Sequence, residues 1–285
     1  LFLVPKNLVD EDGGLGERND VYPVSVEHKL GINASPTCVL QYGDNGGAVG
    51  YLVGDLHNGM ACMFTMMNEA RLQVGLEGVG IAERSYQAAA AYARDRVQGS
   101  VPGERERVTI VHHADVRRML LVMRAGTQAM RGVAYATAAA VDHWHHGADE
   151  DARAKAEARV ALLTPVVKGW CTELAQEITS VGVQVHGGMG YVEETGAAQH
   201  MRDARITPIY EGTNGIQAMD LIGRKVVRDG GRALGDLLAE MRSVVSALHD
   251  SGKADLSGIA DALAEGVEGM QESADWILGA WQDDV

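Results

Sequence analysis

The 285 residues are enough for about two domains at ~150 residues each. A composition of 46% hydrophobic and 22% charged residues, with 35 Gly and only 6 Pro, excludes collagen, a coiled-coil rod and a disordered tail. With 25 Lys and Arg against 39 Asp and Glu the net charge is −14, which makes the chain a poor partner for nucleic-acid phosphates.

No apolar run reaches the ~20 residues of a membrane span, and no lipidation signature is present. Cys38, Cys62 and Cys171 have neither metal-ligand spacing nor a paired framework, so a reducing, cytoplasmic setting is expected. The chain opens on Leu1-Phe2-Leu3-Val4 and then Pro5, which reads as a buried strand entering a turn. With no initiator Met, basic n-region or small-residue cleavage site, it is not a targeting segment. A strand without a neighbour to pair with predicts that the sequence is a fragment.

Residues 1–60 read as short strands between dense turn signals: Asp12-Gly13-Gly14, Asn19-Asp20, Asn45-Gly46-Gly47 and Asn58-Gly59. Strands are predicted at Val21 to Val26, Thr37 to Tyr42 and Val49 to Val53, which is thin for an independent sheet. From about residue 61 the hydrophobic period becomes helical. Leu72, Leu76, Val79, Tyr86, Ala90, Ala93 and Val97 form a stripe, with Arg71, Gln73, Glu77 and Arg84 mostly off it. A second long helix is predicted from His113 to His146 and a third from Glu150 to Ser180. Pro165 either kinks the third or opens a new helix capped by Thr164. A fourth follows Thr213 through Ile216, Met219, Ile222 and Val226. Four long helices, over 61–230, imply an antiparallel bundle. Beyond Gly230-Gly231, residues 231–285 read as an acidic extension of two or three shorter helices. The fold class is α+β, mainly α.

Two segments are too irregular for their helical surroundings: Gln184-Val185-His186-Gly187-Gly188-Met189-Gly190-Tyr191, and Ile209-Tyr210-Glu211-Gly212-Thr213-Asn214-Gly215-Ile216-Gln217. Glycines at helix boundaries let backbone approach a ligand, and they equally serve as helix punctuation. A GGxG alone is weak, because the dinucleotide fingerprint needs a preceding strand and a βαβ unit. Glu211 could simply complement the dipole of the helix that follows it. His143, His145 and His146 do not share a helix face with a carboxylate at ligand spacing, so no metal site is expected. Phe64, Met66 and Met67 are either acyl-pocket lining or ordinary core methionine packing.

Together, the two segments and Met201-Arg202-Asp203-Ala204-Arg205 between them resemble the C-terminal half of the acyl-CoA dehydrogenase family. Lys29-Leu30-Gly31-Ile32 with Ser35-Pro36-Thr37 is similar to that family's middle β-domain, and Tyr92 to Gly99 to its arginine motif. Val111 to Leu120 and Leu163-Thr164-Pro165-Val166-Val167-Lys168 resemble the large subfamily that includes 3-methylmercaptopropionyl-CoA dehydrogenases. The resemblance implies a partial middle β-domain, a four-helix bundle and a helical extension. It implies FAD as cofactor, an acyl-CoA substrate, and a trans-2-enoyl-CoA product formed as a base takes the α-proton and hydride goes to the flavin. An electron-transfer flavoprotein is the implied electron acceptor.

Residue by residue, the resemblance makes Glu211 the general base, with Tyr210 and Gly212 beside it on the substrate side. The alternative base position, one residue before Arg71, is Ala70, which cannot take a proton. Asn68 and Arg71 are placed toward the CoA. Arg96 and Gln98 are placed on the flavin of the neighbouring subunit, and Gln184, Gly187 and Gly188 on the partner's adenosine diphosphate. Thr213 is a flavin contact. These roles imply a homodimer or a dimer of dimers. Other readings are an acyl-CoA oxidase on the same fold, or a helical dimerisation module without catalysis.

Overall fold

The computed structural model describes residues 1–103 and 105–283, so the last two residues of the predicted extension lie outside the described residues. Among the described residues six short strands come first: β1 (Phe2–Leu3), β2 (Asn7–Val9), β3 (Leu15–Arg18), β4 (Val21–Val26), β5 (Cys38–Tyr42) and β6 (Tyr51–Leu52). They form three antiparallel pairs, β1 with β6, β2 with β3 and β4 with β5. Asn19, read in the sequence only as a turn signal, is a buried hub. Its side chain bonds Pro5 O, Val49 O and Val49 N at 2.8–2.9 Å, tying the pairs together. The opening strand is not buried as expected: Leu1, Phe2 and Leu3 are half exposed or more, because among the described residues β1 pairs with β6 alone and no layer covers its face.

Seven α-helices follow among the described residues: α1 (Gly59–Asp95), α2 (Ala114–His146), α3 (Glu150–His186), α4 (Ala197–Ala204), α5 (Asn214–Asp220), α6 (Arg232–Asp250) and α7 (Ala254–Asp283). The protein is mostly helical with few small strands, as its patterning implies. Asp149 caps α3 by accepting from Ala152 N at 2.8 Å, and Glu150 and Asp151 complement the dipole of its first turn. Pro165 lies inside α3 without ending it. Thr164 Oγ1 turns back onto Val160 O instead of capping a new helix. The fourth bundle helix is shorter than its apolar period implies. Regular α-helix stops at Asp220, and Leu221–Val226 continue as a π-helical stretch. The extension is two helices, the second of them 30 residues long.

α1 and α3 pack closely along a seam where glycines face the neighbour. A Cβ on Gly75 would stand 2.9 Å from Val167 O, and one on Gly78 3.0 Å from Cys171 O. Ala82, Ala89, Met123, Met130, Ala175 and Ile178 fill the core between α1, α2 and α3. The stripe on α1 differs from the predicted one at both ends. Val97 is half exposed beyond the helix, whereas Arg71 is 7% exposed. A smaller cluster of Leu162, Val226 and Ala233 joins α3 to the π-helical stretch and α6. The strand region docks on α4, where Ile32 N donates to Asp203 Oδ1 at 2.7 Å. A Cβ on Gly31 would stand 2.7 Å from Arg202 O.

Candidate active site

The chain leaves α4 through a tight turn, reverses at residues 211–212 and enters α5. Glu211 has φ +55° and Gly212 φ +89°, two consecutive left-handed residues. Glycine takes that conformation freely and glutamate does not, so the loop is held there by its surroundings. Arg71 Nε donates to Glu211 O at 3.3 Å, and Arg71 Nη1 pairs with Asp220 Oδ2 at 3.5 Å. Gln217 Nε2 donates to Gly212 O at 3.1 Å, and Asn214 N to Pro208 O at 3.0 Å. The Tyr210 hydroxyl donates to the Glu77 carboxylate, and burial together with that bond holds the phenol well above its usual range. Thr213 caps α5 by accepting from Ile216 N at 3.4 Å. The loop is thus fixed on both sides, and the Glu211 residue is half-buried between them.

Under the loop lies Lys168, fully buried, with Nζ donating to Asn214 Oδ1 at 3.0 Å. Burial, and after it the Arg71 charge, lower this ammonium to about 8, against the opposing pull of Glu173 and Glu211. Two cavities flank the loop. One, about 490 Å³, is lined by Glu173, Gln176, Arg205, Ile209, Thr213 and Asn214 among others. The second, about 430 Å³, holds Arg71, Asp220, Met219, Arg224, Arg228 and Trp281 in its wall. A larger one, about 760 Å³, lies elsewhere, between the α2–α3 corner and α6.

The other predicted residues sit far from this loop. Arg96 and Gln98, both exposed, follow the end of α1; Gln184, Gly187 and Gly188, also exposed, lie at the end of α3. The two helix ends are neighbours, since the Tyr92 and His186 rings lie 4.5 Å apart, tilted by 30°. Gly187 has φ +59°, and among the described residues nothing but its own chain neighbours lies within 4 Å of where a Cβ would stand on it or on Gly188. At 1.5 Å per residue, the 24 residues from Arg71 to Asp95 put this end about 36 Å from the Glu211 loop.

The structure therefore splits the predicted residues into two groups. Arg71, Tyr210, Glu211, Gly212 and Thr213 meet at the loop, with Asn68 exposed one turn before Arg71; Arg96, Gln98, Gln184, Gly187 and Gly188 meet at the far end. Arg71 and Tyr210, placed by the resemblance toward substrate, spend polar atoms on the protein itself. Lys168, Asn214 and Gln217 stand in the quoted sequence segments without a role of their own, and Asp220 stands in none. The available signal for Lys168 was a charge in register with Thr164 and Thr172 on an otherwise buried face of α3. Among the described residues no group of three or more His, Cys, Asp or Glu could hold a metal, and His143, His145 and His146 are exposed.

Comparison with known proteins gives this geometry a context. The family model described as acyl-CoA dehydrogenase, C-terminal domain, matches residues 57–226. The 3-methylmercaptopropionyl-CoA dehydrogenase of Ruegeria pomeroyi is 52% identical over 99% of this chain and 48% of its own length. The chain spans about half the length of the curated relatives it matches. ACDH-11 of Caenorhabditis elegans, solved in complex with C11-CoA, shares the fold at a TM-score of 0.74 and 23% identity, over 93% of this chain and 45% of its own. An acyl-CoA dehydrogenase of Bacillus anthracis, solved complexed with FAD, matches at a TM-score of 0.65 and 25% identity, over 80% of this chain and 39% of its own.

Proposed function

The chain belongs to the acyl-CoA dehydrogenase family, and from that membership we propose that the protein dehydrogenates an acyl-CoA thioester to the trans-2-enoyl-CoA with Glu211 as the base. The observation that carries this reading is the fixed left-handed turn at Glu211, whose carbonyl is held by the buried Arg71. The backbone that carries the carboxylate is thus held in one conformation, and orientation is a large part of what a base contributes. The residue is half-buried, so a substrate seated against it would exclude the remaining water. Arg224 and Arg228, at the wall of the 430 Å³ cavity beside Trp281, suit the phosphates of a CoA.

FAD, when bound, would supply the acceptor for the hydride that leaves the β-carbon. The residues present fit it: Gly187 and Gly188 leave an open backbone face, and Arg96 adds a guanidinium suited to a pyrophosphate at the same end. That end lies beyond the reach of one dinucleotide from the Glu211 of the same chain. The nucleotide held there would serve the Glu211 of a second copy, so a dimer is the smallest complete assembly.

The test is anaerobic addition of straight-chain and thioether-containing acyl-CoA thioesters to the flavin-loaded full-length protein. Bleaching of the oxidised flavin with formation of the 2-enoyl-CoA is expected. A flavin left oxidised by every acyl-CoA tried would contradict the reading.

A further inference from the structure

The loop that carries Glu211 is closed and anchored by one residue. Asn214 N donates to Pro208 O at 3.0 Å, which closes residues 209–213 on themselves. The Asn214 amide then reaches α3. Its Oδ1 accepts from Lys168 Nζ at 3.0 Å, and because only an oxygen can accept from an ammonium, Nδ2 is turned the other way. There it meets Gly169 O at 3.1 Å, Thr172 Oγ1 at 3.1 Å and Glu173 Oε1 at 3.0 Å. Among the described residues, every hydrogen bond from residues 208–214 to α3 runs through this side chain. Lys168 and Thr172 are both at 0% exposure, so the anchor is set in the packed face of α3. Arg71 holds the Glu211 carbonyl from α1, and Gln217 holds the Gly212 carbonyl from within α5. Without the Asn214 amide the turn would keep those two ties and lose the one to α3.

We propose that Asn214 is a positioning residue for the dehydrogenation: its amide fixes the distance and rotation of the Glu211 turn relative to α3, and so the reach of the base to the substrate α-carbon. The proposal rests on the reading of Glu211 as the base. The residue type follows from the anchor, which asks for an acceptor facing Lys168 and a donor facing Gly169 O within one short planar group. Alanine supplies neither. Aspartate keeps the acceptor and sets a second oxygen against Gly169 O. A misplacement of about 1 Å at a catalytic group, caused from outside the chemistry, costs up to about 100-fold in rate.

The experiment uses the flavin-loaded full-length protein and follows anaerobic flavin reduction, per bound flavin, over a range of acyl-CoA concentrations. In Asn214→Ala the limiting rate is expected to fall about 10–100-fold, while the half-saturating acyl-CoA concentration stays within about threefold of wild type. Counting per bound flavin removes any share of unfolded or empty protein, so a merely structural role would leave the limiting rate where it was. Should Asn214→Ala fail to fold, Asn214→Asp decides, being nearly isosteric with the native side chain, and the same fall is expected there. A limiting rate within about threefold of wild type in the folded variant overturns the proposal, and so does a change confined to the half-saturating concentration. A slow Glu211→Gln beside an Asn214 variant at the wild-type rate defeats this inference alone. Reduction at the wild-type rate in Glu211→Gln defeats the reading of Glu211 as base.

Discussion

Gly212 is confined on two sides at the loop. It sits at φ +89°, and a Cβ there would stand 2.9 Å from Gln217 Nε2 and 3.4 Å from Arg71 Nη2. Gly212→Ala therefore meets backbone strain and crowding at once, and is expected to lose roughly 1–3 kcal/mol in urea unfolding. An unchanged midpoint would mean that the loop relaxes freely. Glu211 was legible in the sequence because its neighbours form a motif of many residues. Arg71 was misread as lying off the buried stripe, since hydrophobic period scores any arginine as a surface residue. What keeps it inside is Asp220, 149 positions further along the sequence, and periodicity carries no information about such a partner. The same holds for Lys168, whose partner Asn214 lies on another helix.

At the scale of elements, the close approach of α1 to α3 sets where the loop sits. Glycine does opposite things on the two faces of α1. A Cβ on Gly75 would come within 2.4 Å of Val167 Cγ1, so Gly75→Ala must push the helices apart and is expected to cost about 1–3 kcal/mol. Gly80 faces open space, and Gly80→Ala is expected to stabilise by up to about 1 kcal/mol, because alanine is the better helix former. Thermal unfolding of the two variants should shift in opposite directions; shifts of the same sign would contradict the seam. Helix spans were legible because long apolar stripes have a clear period. The end of the fourth helix was not, since the change from α to π bonding at Leu221 leaves the order of apolar residues unaltered. The exposure of Leu1 to Leu3 was also hidden, because a strand's own pattern cannot say whether a second layer covers it.

For the whole molecule, the separation of the Glu211 loop from the Gly187 end has a direct consequence. If each flavin is held by one chain and used by another, Arg96→Ala and Glu211→Gln damage different chains of the same site. Mixed and reassembled, the two inactive proteins should recover about a quarter of wild-type activity, because half of randomly paired dimers carry one intact site of two. No recovery in verified mixed dimers would place the whole site within one chain. Both outcomes presuppose the chemistry assigned to Glu211, which one measurement tests without any electron acceptor or assembly step. It is the anaerobic single-turnover rate of flavin reduction by acyl-CoA in Glu211→Gln, with the flavin still bound. A fall of at least about 10²–10⁴-fold from wild type is expected, the share a general base contributes. Reduction at the wild-type rate would remove Glu211 from proton abstraction and contradict the account.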